Sequence, residues 1–171
     1  DCSRMTNVVI PSSVTSIEKA AFYGCSYLKS IIIPSSVTSI DEYAFRGCLS
    51  LKKIIIPPSI TMIRKCTFYK CTSLVEVEIP SSITSIESGS FAECSSLKQV
   101  VIPSSVLKIG DNAFNRCCSL AQVSLPPSIT SLEKLTFSGC LQLKQIEILP
   151  TITSIGKKCF YGCCNLTSIK I

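Results

Sequence analysis

Apolar residues return along this chain in fixed columns, and the columns repeat every 23 residues. Phenylalanine falls at Phe22, Phe45, Phe68, Phe91, Phe114, Phe137 and Phe160. Cysteine follows three residues after each, from Cys25 to Cys163, and leucine three after that, from Leu28 to Leu166. No insertion breaks the register. That constancy marks a solenoid, in which every repeat stacks on the next. The unit reads like Leu28 to Ser50, LKSIIIPSSVTSIDEYAFRGCLS.

Within the unit, Leu28-x-x-Ile31-x-Ile33 predicts a short strand. Ile31 and Ile33 face one side and Ile32 the other. Pro34 ends the strand, because it has no N–H for a ladder, and Ser35-Ser36 suits a turn. Val37 to Ile40 predicts a second short strand, kinked because Val37 and Ile40 are three apart. Asp41 to Cys48 predicts a helical turn that puts Ile40, Ala44, Phe45, Cys48 and Leu51 on one stripe. Gly47 suits the end of that turn. Lys70, Glu93 and Arg116 fill its column elsewhere, which argues against a required left-handed backbone.

The expected fold class is therefore an α/β repeat solenoid. It is a right-handed array of 23-residue coils, each with an LxxIxI strand, a short second strand and a helical turn. Roughly eight side chains per coil point inward, each worth ~1.5–3 kcal/mol when buried. Ordering one coil costs roughly 1.5 kcal/mol per residue, so a lone coil fails and stacking supplies the stability. Residues 1–171 read as one solenoid, with 1–10 the tail of a truncated repeat, then seven repeats. Ile171 should complete a strand column. Neither end carries the polar cap that shields a terminal core, so the chain reads as a piece of a longer array.

Composition narrows the function. Apolar residues at 46% and charged residues at 16% exclude a disordered chain. No apolar run approaches the ~20 residues of a membrane span, and the opening residues lack a signal-peptide pattern. A net charge of +6 is moderate, without the dense basic patch of a nucleic-acid binder. Histidine is absent, which removes the commonest general base, and no phosphate-binding loop occurs. Neither an enzyme nor a cofactor is expected. The carboxylates Glu18, Asp41, Glu87 and Glu133 share a column and read as helix-start residues favoured by the helix dipole.

Eight of the twelve cysteines occupy one column, from Cys2 to Cys163. They read as small buried thiols, reduced in the native protein. Parallel Cβ vectors along a stack argue against bridging. Without histidine or a close CxxC pair, no zinc site is expected. Asn165-Leu166-Thr167 is a glycosylation sequon.

The positions that the repeat leaves free are the outward ones of the LxxIxI strands. Val9, Ile32 and Ile55 form an apolar row beside Lys29, Lys52 and Lys53. Glu76 and Glu78 then change the sign, and Lys98 and Val101 follow. A mixed apolar and charged stripe suits a protein partner. These ten residues are the candidate ligand-binding set. Gln99, Gln122 and Gln145 also point outward on the same strands. The threonines Thr15, Thr38, Thr61, Thr84, Thr130 and Thr153 form a regular ladder that reads as structural.

The run Leu-x-x-Ile-x-Ile-Pro-x-Ser-Val-Thr-x-Ile-x-x-x-Ala-Phe-x-x-Cys resembles the BspA-like, or Treponema-type, leucine-rich repeat. The resemblance covers essentially the whole chain. It implies a cell-surface or secreted adhesion module of a host-associated microbe, presenting a concave sheet to a host matrix protein or an acidic glycan. It implies neither nucleic-acid binding nor insertion of this segment into a membrane. The alternative is a structural spacer whose open ends associate end to end.

Overall fold

A computed structural model describes residue 2 and residues 4–170. Ile171, expected to complete a strand column, lies outside the described residues. The LxxIxI segments form short strands at Asn7–Val9 (β1), Ser30–Ile32 (β3), Lys53–Ile55 (β5), Glu76–Glu78 (β7), Gln99–Val101 (β9), Gln122–Ser124 (β11), Gln145–Glu147 (β13) and Ser168–Lys170 (β15). Two-residue strands alternate with them at Ser16–Ile17 (β2), Ser39–Ile40 (β4), Met62–Ile63 (β6), Ser85–Ile86 (β8), Lys108–Ile109 (β10), Ser131–Leu132 (β12) and Ser154–Ile155 (β14). Strands pair in parallel with the equivalent strand one coil away. Asn7 faces Ser30, Ile17 faces Ile40, and Lys53 faces Glu76.

The inward columns fall where the pattern puts them. One hydrophobic core runs from Ile17 to Cys159 and includes the Phe, Cys, Leu, Ile and Ala columns. The phenylalanines form a continuous stack, with ring centroids 5.2–6.0 Å apart and near-parallel planes. Serines and threonines stitch the coils together. Ser82 and Ser105 each donate to a carbonyl of the preceding coil at 2.7 Å. Thr38, Thr84 and Thr153 each donate to the threonine carbonyl one coil earlier.

The third side of the coil departs from expectation. No described residue is helical; the segment is a run of interleaved turns. Ala44, Arg46 and Cys48 donate to the carbonyls three residues back, whereas Tyr43, Phe45 and Gly47 donate across to the next coil. Backbone N–H groups that bond the neighbouring coil cannot close an i to i−4 ladder. The alternation needs left-handed residues. Ala20, Tyr43, Cys66, Gly89, Asn112, Leu135 and Lys158 form one such column; Gly24, Gly47, Lys70, Glu93, Arg116, Gly139 and Gly162 form a second. The Gly47 column therefore does require a positive φ, even where lysine, glutamate or arginine fills it. That conformation costs a residue with a Cβ about 1–2 kcal/mol, and the inter-coil hydrogen bonds hold it. With no helix, the column of carboxylates has another role. Glu18 and Glu133 accept from Ser16 and Ser131, while Asp41 and Glu87 accept backbone N–H bonds from Glu42 and Lys65.

The cysteine column also needs one correction. Cys2 and Cys25 are joined by a disulfide, their Cα atoms 5.1 Å apart. Stacking alone brings equivalent residues within bridging distance, and parallel Cβ vectors do not prevent it. The remaining column thiols stay free. Cys48, Cys71, Cys94, Cys117 and Cys163 each point at the phenylalanine carbonyl of the preceding coil at 3.1–3.2 Å, and Cys140 does so at 3.4 Å. Reduction should loosen the first coil selectively. Hydrogen exchange at Lys29, whose N–H donates to Thr6, should accelerate on reduction while that at Val75 and Ala121 stays slow. Equal acceleration along the whole stack would show that the bridge does more than close one coil.

Candidate ligand-binding face

Alternation along a strand decides what this face presents. In β3, β5, β7, β9 and β13 the central residue is buried and its two neighbours are exposed. All ten candidate residues are exposed. Val9, Ile32 and Ile55 retain 84%, 74% and 54% of their accessible surface, unusual for side chains that favour interiors. Val9 sits directly beside Ile32 in the β1–β3 pair, and the Lys52 N–H reaches the Lys29 carbonyl at 3.4 Å to carry the row on to β5. The apolar row thus covers three coils. It ends at Glu78, the partner of Ile55.

The charges are less independent than the sequence implies. Lys53 Nζ lies 2.6 Å from Glu78 and 3.3 Å from Glu76. Hydrogen bonds to Glu78 and then Glu76 hold its ammonium above the ordinary lysine pKa. These three residues form a cluster with a net charge of −1, whose exposed pairs add little stability. Among the described residues no carboxylate comes within ion-pair distance of Lys29 or Lys52, so those two supply the positive charge beside Ile32 and Ile55. Lys98 and Val101 are not part of this group. Val75 separates Lys98 from Lys52, and the Glu78 coil separates Val101 from Ile55. The structure brings together Val9, Lys29, Ile32, Lys52 and Ile55, with the Lys53–Glu76–Glu78 cluster at one border.

Two features of the surface lie outside the candidate set. A groove of about 670 Å³ opens over β9, β11, β13 and β15, lined by Gln99, Gln122, Gln145, Ser124, Glu147 and Val101 among others. Its sequence signal is the same amide in one column of three consecutive repeats. The second feature lies on the turns. The Arg46 guanidinium sits 4.6 Å from the Tyr69 ring centre, 5.6 Å from Tyr23 and 5.7 Å from Tyr43. Tyr23, Arg46 and Tyr69 are spaced by 23 residues, so this cation–π stack ties three coils together.

The comparisons with known proteins agree with this architecture. The model of the BspA type leucine rich repeat region matches in six copies, over residues 1–121 and 108–171. A solved leucine-rich repeat protein from Bacteroides ovatus is 39% identical with a TM-score of 0.94, covering 97% of this chain and 45% of its own. The T. pallidum leucine rich repeat protein is 36% identical with a TM-score of 0.86, covering 95% and 78%. A leucine rich cell surface protein from Faecalibacterium prausnitzii is 31% identical with a TM-score of 0.64, covering 99% and 54%. The chain thus spans less than half the length of the B. ovatus protein. No curated protein matches the sequence. Repeat period, core columns and these likenesses converge: the chain belongs to the BspA-type leucine-rich repeat family.

Proposed function

We propose that this chain is a non-enzymatic binding module of a cell-surface or secreted protein, and that it docks an extracellular protein on the outward face of β1, β3 and β5. The observation that carries this reading is the exposed row of Val9, Ile32 and Ile55 beside Lys29 and Lys52. Solvated β faces seldom gather three adjacent large aliphatic side chains, and contiguous apolar patches mark interaction sites. The strand ladder fixes the row, so little backbone entropy is lost on binding. The two lysines steer acidic partners toward it. Among the described residues no helix is long and apolar enough to cross a membrane. The F. prausnitzii protein's cell-surface description supports the location.

The test pairs two double variants against immobilised extracellular-matrix proteins. Ile32→Ser with Ile55→Ser should weaken the best-binding matrix protein at least about tenfold, the loss of one modest hot spot. Thr38→Ser with Thr61→Ser, on the other strand row, should leave affinity nearly unchanged. Circular dichroism should match wild type for both, since neither pair fills the core. Wild-type affinity in the isoleucine variant would move the site off this face, and absence of binding to any matrix protein would favour the spacer reading.

A further inference from the structure

The groove over β9, β11, β13 and β15 lies beyond the Ile32–Ile55 patch and has different chemistry. Gln99, Gln122 and Gln145 open three successive strands at one position, and Gln99 and Gln122 are direct partners in the β9–β11 pair. All three are exposed. None of their side-chain amides has a hydrogen-bond partner among the described residues. Each therefore offers two N–H donors and one carbonyl acceptor to whatever occupies the groove. The groove's ionic groups face each other: Glu147 lies 3.8 Å from Lys170. Lys98 and Lys144 stand on the adjacent row and do not line it. What remains is a row of neutral amides flanked by the exposed aliphatic side chain of Val101.

We propose that this groove binds a linear, uncharged polysaccharide lying along the stack, with one sugar ring per coil. Hydroxyls both donate and accept, so a carboxamide can bridge a vicinal diol with both of its functions. Spacing selects the orientation and the polymer. The amides recur at the coil repeat, about 4.8 Å. A chain of equatorially linked pyranose rings advances by close to that distance per ring and turns over at each linkage, so every ring meets an amide and the same ring face returns at every second coil. An extended peptide presents same-face side chains roughly 6.7 Å apart and falls out of register within two coils. Among the described residues no unpaired cation lines the groove, which disfavours an acidic glycan there. With no aromatic ring among the lining residues, each sugar contributes modestly, and affinity should grow with length.

The probes are cello-, manno- and xylo-oligosaccharides of increasing length, titrated into the isotopically labelled chain and followed by backbone amide shifts. For at least one of these backbones, shifts should concentrate in β9, β11 and β13, and affinity should rise about tenfold from disaccharide to tetrasaccharide. Gln122→Ala should weaken tetrasaccharide binding at least fivefold. Ile32→Ser with Ile55→Ser should have no effect, which separates this site from the protein-docking face. The proposal is overturned if none of the three series shows length-dependent binding, if Gln122→Ala binds like wild type, or if only sulfated or uronate oligosaccharides bind.

Discussion

Alanine at Phe91 should destabilise the protein by about 3–5 kcal/mol, the usual range for deleting a buried aromatic ring. Phe91 has no exposed surface, and its ring stacks on Phe68 at 5.3 Å and on Phe114 at 5.5 Å. Removal leaves a cavity bounded by rings on both sides. Those rings cannot collapse into it without pulling their own coils out of hydrogen-bond register. The damage also spreads by nearest-neighbour coupling, since each coil is stable only against its neighbours. Phe91→Leu should recover part of the loss, because it refills some of the cavity. Urea unfolding followed by far-ultraviolet circular dichroism measures both. A cost for Phe91→Ala no larger than that for Phe91→Leu would mean that the stack is not a cooperative spine.

Alkaline pH should unfold this protein unusually steeply. Burial is the main cause that raises the Cys48 thiol to about 12, and burial likewise raises Cys71, Cys94, Cys117 and Cys140. In the unfolded chain a thiol ionises near ~8.5. Above that pH the unfolded state binds fewer protons than the folded state, so stability falls as pH rises. The stability is intact below the unfolded value and is lost progressively as pH climbs toward the folded one. Burial also raises the Cys159 thiol, to about 11; each buried thiol contributes a slope of up to about 1.4 kcal/mol per pH unit, and six lie in one core. The urea midpoint, measured anaerobically, should therefore hold at neutral pH and drop sharply above pH ~9. Cys71→Ala with Cys94→Ala removes two of the six groups and should flatten that fall by roughly one third, whatever it does to stability at neutral pH. An unchanged slope in that variant would show that other groups drive the transition.

Much of the candidate face was legible because strand alternation is a strict rule. Once Ile31 and Ile33 are assigned inward, Lys29 and Ile32 must face out, and the same holds one repeat along for Lys52 and Ile55. The grouping was not legible. That Lys53 is held by Glu76 and Glu78 depends on side-chain rotamers across coils, which spacing does not specify. The glutamine row was visible as a column, but its groove is a property of how four strands curve together.

The 23-residue period determined the solenoid, its parallel in-register strands and the identity of every core column, because stacking identical coils leaves no other way to bury those side chains. It did not determine the backbone of the third side. Ala44, Phe45, Cys48 and Leu51 satisfy a helical stripe and a run of turns equally well, since both turn those residues inward. Only the stacked coils decide between them. The neighbouring coil offers a carbonyl to each alternate N–H, and accepting it forces Tyr43, Cys66 and Leu135 into left-handed conformations that no local preference would select. The Cys2–Cys25 bridge follows the same logic. Sequence makes the column cysteines equivalent, whereas only the structure places Cys2 and Cys25 5.1 Å apart and joins them.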